Sequence, residues 1–128
     1  MKKCLLIILS LLSVSIISCT KTPKLDDRLV GTKWQTEDLA AELFHGGKCY
    51  QVYEFTSTTE VECYTTKNGT VISSDGVYTY KLNWPSITIN VVSSGGEVTP
   101  TSYTFTDART MVRDNAASTA FYVTYIRQ

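Results

Sequence analysis

The chain is 128 residues long, 43% hydrophobic and 19% charged, with 12 basic residues against 12 acidic ones and a single histidine. That length fits one domain, and the balanced charge gives no reason to expect nucleic-acid binding, which needs a clustered basic surface. There is no Gly-rich phosphate loop, no nucleophile elbow and no zinc spacing, so no cofactor, no metal and no catalytic residue is expected, and the chain reads as a non-enzyme.

Lys2 and Lys3 precede an apolar run from Leu5 to Ile17. At about 13 residues this run is short of the roughly 20 that span a bilayer and suits the core of an export signal. Ile16-Ile17-Ser18 then leads straight into Cys19, which resembles the bacterial lipobox: an aliphatic residue, a free position and a small residue before a cysteine. The resemblance implies cleavage before Cys19, a diacylglyceryl group on its sulfur and acylation of the new amine. Each buried methylene contributes about 0.8 kcal/mol and one chain anchors weakly, so two or three chains hold a protein firmly. Residues 1–18 are therefore expected to leave as a signal peptide, Cys4 with them, and 19–28 to form the lipidated cysteine and a polar tether to the membrane. Losing Lys2 and Lys3 takes the basic count from 12 to 10 against 12 acids, a net charge of about −2. Thr20 rather than Asp follows the cysteine, which by the enterobacterial sorting pattern implies the outer membrane. Lys24-Leu25-Asp26-Asp27 resembles the acidic surface-export tags of Bacteroidetes, against an ordinary polar tether, so the face of that membrane stays open.

Residues 29–128 read as one β-domain, rich in the Tyr, Val, Thr, Ile and Phe that strands prefer. Strands are predicted near 30–35, 48–55, 60–67, 70–73, 77–82, 86–92, 98–106, 109–113 and 119–127, eight or nine in all. A helix is predicted over 37–44, with Thr36 as N-cap, Leu39, Leu43 and Phe44 on one face and Gly46-Gly47 as its stop; it is placed to plug a barrel mouth. His45 then falls in a polar loop. Ile87, Ile89 and Val91 alternate on one face, as do Tyr78, Tyr80 and Leu82, and Phe121, Val123 and Tyr125 with Arg127. Such period-2 patterning places one face in a core and one in water. Turns are predicted at Asn68-Gly69, Asp75-Gly76, Asn83-Trp84-Pro85, Ser94-Gly95-Gly96, Asp107-Ala108 and Asp114-Asn115. The fold expected is an all-β, antiparallel up-and-down meander. It closes into a small barrel of about eight strands, which removes exposed edges.

Leu29-Val30-Gly31-Thr32-Lys33-Trp34, then Tyr53-Glu54-Phe55, Gly76-Val77-Tyr78-Thr79-Tyr80 and Ile87-Thr88-Ile89 make the domain resemble the small lipocalin-like lipoproteins of Bacteroidetes. The spacing here is Gly-x-x-Trp, where lipocalins have Gly-x-Trp. The resemblance implies that Trp34 packs at the closed barrel end under Arg127 of the last strand, a structural cation–π contact of about 0.5–2 kcal/mol. It also implies a barrel of a size that holds one small molecule. With 8 Tyr, 2 Trp and 4 Phe in the chain, Tyr53, Phe55, Tyr78, Tyr80, Phe121 and Tyr125 are the candidate residues to line a cavity for a small hydrophobic or glycan ligand. The alternative is a packed barrel, its tyrosines filling the core, that serves as a protein-interaction or inhibitor module. Ser74-Asp75-Gly76-Val77-Tyr78 resembles the Ser-Gly-x-x-Tyr loop of membrane-bound lysozyme inhibitors, with Asp75 inserted.

Keeping Phe55 and Val61 on one face makes the hairpin at 56–59 pair residues whose numbers sum to 114 or 116. Cys63 then lies opposite Gln51 or Tyr53, two or four positions from Cys49. A two-residue diagonal is already about 7–8 Å and a disulfide wants Cα atoms within about 6.8 Å, so two buried free thiols are expected. Glu54 falls opposite Glu60 or Glu62 on the outer face, a solvated acidic strip.

Overall fold

The computed structural model describes residues 29–117 and 119–128. The export signal, Cys19 and the tether expected over 1–28 lie outside the described residues. Eight strands follow in chain order: β1 (Lys33–Glu37), β2 (Cys49–Phe55), β3 (Glu60–Lys67), β4 (Thr70–Asn83), β5 (Ser86–Val92), β6 (Val98–Asp107), β7 (Thr110–Arg113) and β8 (Thr124–Arg127). Each pairs antiparallel with the next, and β8 returns to β1 through Trp34↔Arg127 and Gln35↔Ile126, closing an up-and-down barrel with one short helix, α1 (Leu39–His45), between β1 and β2. Closure satisfies the outer strands' backbone groups, which an open meander would expose.

Strict alternation builds the core. Phe55 pairs with Val61, Val61 with Tyr78, Tyr80 with Ile89, Ile87 with Tyr103, Phe105 with Met111 and Met111 with Tyr125, all inward and buried. The aromatics pack edge to face: Phe55 on Tyr80 at 5.0 Å and Trp34 on Phe105 at 5.3 Å. Such pairs add about 0.5–1.5 kcal/mol beyond their burial. The β2–β3 register sums to 116, so Cys63 faces Tyr53 and Glu54 faces Glu62. Cys49 and Cys63 are buried free thiols. Glu54 is relieved of its acidic neighbour by Lys33 at 3.8 Å and by the Tyr64 hydroxyl, which donates to it at 2.8 Å.

Five local expectations are corrected. Asp75-Gly76 is not a turn: the strands predicted at 70–73 and 77–82 are one 14-residue strand, β4, whose pairing with β3 slips between Cys63↔Gly76 and Tyr64↔Ser74 and again near Thr65. Each slip is a bulge, one extra residue on β4, and Gly76 supplies the positive φ of +111° there. The last strand begins at Thr124, not 119, because Tyr122 adopts a left-handed φ of 56° that breaks the alternation. The N-cap of α1 is Asp38, whose carboxylate accepts from Ala41 N at 3.0 Å, not Thr36, which lies within β1; His45 ends the helix instead of lying in a loop. Finally, α1 buries none of its residues, so it does not plug the barrel: Leu43 and Phe44 are 87% and 86% exposed. The Asn68-Gly69 turn is as predicted, with φ of 52° and 77°, both positive as a type I′ hairpin requires.

The strand order gives the barrel two distinct ends. One carries Leu29, the β4–β5 turn at Trp84-Pro85 and the β6–β7 turn; there Trp84 stacks on Phe105 at 4.8 Å, and Phe105 meets Trp34. The other, the mouth, carries α1, the β3–β4 and β5–β6 turns and the loop from 114 to 123.

Candidate functional site: the tyrosine-lined mouth

The barrel interior opens at the mouth into a cavity of about 330 Å³. Its floor is a cluster of three buried tyrosines, one each from β2, β6 and β8: Tyr53 and Tyr125 lie 4.9 Å apart, and Tyr103 meets both rings edge-on at 5.6 and 6.2 Å. Their hydroxyls find partners within the barrel. Tyr53 and Tyr103 oxygens are 3.4 Å apart, and Tyr125 donates to the side-chain oxygen of Gln51. Tyr78, Cys63, Thr101, Asp75, Arg113 and Tyr122 contribute to the walls, with Val91 to Ser94 at the end of β5.

Each wall residue has a local reason to face inward. Thr101 and Tyr103 are in phase with buried Phe105, and Arg113 is two residues beyond buried Met111. The bulge brings Asp75 to the inner side, where the Cys63 thiol donates to its carboxylate at 3.5 Å. Tyr122 reaches in from the β7–β8 loop. Its hydroxyl donates to Asp38 at 2.8 Å, and the same carboxylate accepts from the Thr65 hydroxyl at 3.4 Å and caps α1. Asp38 thus ties the loop, the helix and β3 together at the rim.

Burial pushes the hydroxyls of Tyr53, Tyr103 and Tyr125 above the ordinary phenol value of 10. Tyr78 is raised to about 12 by burial, with Cys63 and Asp75 adding to it. Tyr122 reaches about 12 by burial and by its bond to Asp38. Burial also raises the Cys63 thiol, helped by the adjacent Asp75 carboxylate. At neutral pH the tyrosines and Cys63 are accordingly neutral hydrogen-bonding groups, and the formal charges on the cavity wall come from Asp75 and Arg113.

The predicted lining residues divide three ways. Tyr53, Tyr78 and Tyr125 line the mouth cavity. Phe55 and Tyr80 pack on each other in the core, and the Tyr80 hydroxyl donates to the Ser57 carbonyl at 2.7 Å, away from the mouth. Phe121 lies outside any strand and is 61% exposed, because the left-handed Tyr122 takes it out of phase with Tyr125. Sequence reasoning passed over Gln51, Asp75, Thr101, Tyr103, Arg113 and Tyr122. The phase of Thr101 and Tyr103 with Phe105, and of Arg113 with Met111, was available as a signal; Asp75 and Tyr122 depend on a bulge and a loop conformation that no periodicity reveals.

Trp34 and Arg127 are Cα partners across β1 and β8. Both line a second cavity of about 330 Å³ at the tryptophan end, with Leu29, Trp84 and Phe105. The Trp34 indole N–H donates to the Thr32 hydroxyl at 2.9 Å. The mouth is the stronger candidate because polar groups from several strands converge there on an aromatic floor, as binding sites require. The tryptophan-end cavity has Trp34, Trp84 and Phe105, which pack on one another to close that end, with Asp107 and Arg127 also on its lining. Compared with protein-family models, curated proteins and solved structures, the chain matches none of them.

Proposed function

We propose that this protein is a lipid-anchored lipoprotein of the outer membrane whose lipocalin-like barrel binds a small ligand in its mouth, and that it acts by binding, not by catalysis. The mouth cavity carries the reading: about 330 Å³ is left open above a floor of three tyrosines, a volume at the lower bound of small-molecule sites. The polar lining favours a ligand with polar groups over a bare hydrocarbon chain, because an apolar occupant offers Arg113 and Asp75 no partner in place of the water it displaces. The anchor rests on the lipobox-like Ile16-Ile17-Ser18-Cys19. Metabolic labelling with a clickable fatty acid tests it: the protein takes up label and Cys19→Ala does not, whereas label on both contradicts the anchor. Titration of tyrosine fluorescence with lipid, glycan and amino-acid pools tests the ligand. Saturable quenching lost in Thr101→Trp, which fills the mouth, supports the site; quenching unchanged in that variant contradicts it.

A second reading has its own observation. Leu43 and Phe44 stand in solvent on α1 beside the mouth, the kind of exposed apolar pair that a protein partner covers. Capture of a specific partner by the protein and not by Leu43→Ser/Phe44→Ser favours that interaction module.

A further inference from the structure

We propose that the mouth takes a small zwitterion, an amino acid or short peptide, with its ammonium group set against Asp75 and the tyrosine rings and its carboxylate against Arg113. The inference rests on the reading of the mouth as a ligand site and names the chemistry that site recognises.

Asp75 faces inward only because of the bulge. Counting alternately back from inward Tyr78 in a regular strand places 76 and 74 inside and Asp75 outside in water. The slip from Cys63↔Gly76 to Tyr64↔Ser74 makes Asp75 the extra residue and sets its carboxylate 3.5 Å from the inward Cys63 sulfur. Gly76 adopts the positive φ of +111° that the bulge requires. Arg113 arrives by ordinary alternation from Met111, beside its register partner Tyr103. β4 and β7 are three strands apart in a closed barrel of eight, so the acid and the base stand on different walls.

These two charges do not neutralise each other. Among the described residues the ion pairs are Lys33–Glu54 and Lys48–Glu37, both on the outside of the protein, and neither Asp75 nor Arg113 takes part in one. A mouth lined by one acid, exposed and bonded only to the Cys63 thiol, and one base, neither of them in an ion pair, discriminates by charge. A lone amine is drawn by Asp75 and by the tyrosine faces, which attract cations, but is opposed by Arg113. A lone carboxylate pairs with Arg113, whose guanidinium fits it in a bidentate manner, but is opposed by Asp75. A hydrocarbon chain satisfies neither. A neutral sugar satisfies hydrogen bonds but neither charge. A zwitterion satisfies both walls and sets its side chain on the floor made by Tyr53, Tyr103 and Tyr125. The volume of about 330 Å³ equals a sphere roughly 9 Å across, enough for an aromatic amino acid or a dipeptide.

A matched series tests this. Phenylalanine, phenethylamine and 3-phenylpropionate share one ring and differ only in charge. Calorimetric titration of the full protein, purified as the cell makes it, is expected to give phenylalanine at least a ten-fold advantage over each of the other two. Asp75→Asn and Arg113→Gln are each expected to weaken phenylalanine at least ten-fold, and Asp75→Asn to remove its advantage over 3-phenylpropionate. Equal binding of all three compounds, or phenylalanine binding unchanged in both variants, overturns the inference. Circular dichroism checks that the variants fold; if one does not, the other variant and the matched series still decide. Failure of the three compounds alongside saturable binding of a sugar or a fatty acid in the mouth sinks the zwitterion and leaves the ligand site standing. Failure of every class of compound sinks both.

Discussion

Asp38 shows how much one side chain organises. Its carboxylate caps α1 through Ala41 N and accepts the hydroxyls of Thr65 and Tyr122, so it fixes the helix, β3 and the mouth loop at one point. Losing an N-cap costs about 1 kcal/mol and each further lost bond about 0.5–1.5 kcal/mol. Asp38→Ala is therefore expected to lower stability in urea denaturation by about 2–3 kcal/mol and Thr36→Ala, at the position expected from sequence to cap the helix, by clearly less. The tyrosines make a second prediction at this scale. Burial holds Tyr53, Tyr64, Tyr78, Tyr103, Tyr122 and Tyr125 protonated above their ordinary value of 10. Below about pH 9 both folded and unfolded chains keep these protons, and stability is independent of them. Above about 10 the unfolded chain releases them first, so it binds fewer protons than the folded one and stability falls with rising pH. The fall runs from about pH 10 through the folded values near 12 of Tyr78 and Tyr122 and beyond, where the more deeply buried rings ionise. The urea midpoint is expected to be flat from pH 7 to 9 and to drop between 10 and 12, with phenolate absorbance rising together with unfolding; phenolate appearing well before unfolding contradicts it.

At the scale of the element, β4 and α1 carry the lessons. The β4 bulge needs Gly76 at a φ of +111°, and a Cβ there meets nothing within 4 Å, so the cost of Gly76→Ala is conformational alone, about 1–3 kcal/mol. Urea denaturation of that variant measures it; no loss of stability means the bulge has another backbone solution. Leu43 and Phe44 on α1 rest on nothing, so replacing either by Ser is expected to change stability by less than about 0.5 kcal/mol, while Phe55→Ala in the core costs about 3–5 kcal/mol. The same elements mark what the sequence disclosed. Strands with clean alternation, such as β5 and β6, and the Asn68-Gly69 hairpin were legible, because a single buried face and a two-residue turn leave little choice of register. Alternation led to a meander of about eight strands, and the shared face of Phe55 and Val61 left Cys63 opposite Gln51 or Tyr53, of which the structure has Tyr53, with both thiols free. Asp75-Gly76 was misread because a bulge and a turn ask for the same residue types, a small polar residue and a glycine with positive φ. The apolar stripe of α1 was misread because periodicity marks a face without saying whether anything covers it. The mouth was half legible for a related reason: alternation points to Tyr53, Tyr78 and Tyr125, but Asp75 and Tyr122 enter through irregularities of the backbone.

For the whole molecule, direction matters. Leu29, where the described chain begins, lines the cavity at the tryptophan end, opposite the mouth. If Cys19 carries the proposed anchor, ten residues would limit the barrel to roughly 35 Å from the membrane, with the tether joining it at the end away from the mouth. The account stands or falls on whether that mouth is occupied. Native mass spectrometry of the protein purified from envelope membranes measures this most directly. A second species heavier by the mass of one small molecule is expected, and that species is lost in Thr101→Trp. A bare protein mass, persisting after incubation with lipid, glycan and amino-acid extracts of the same envelope, contradicts it.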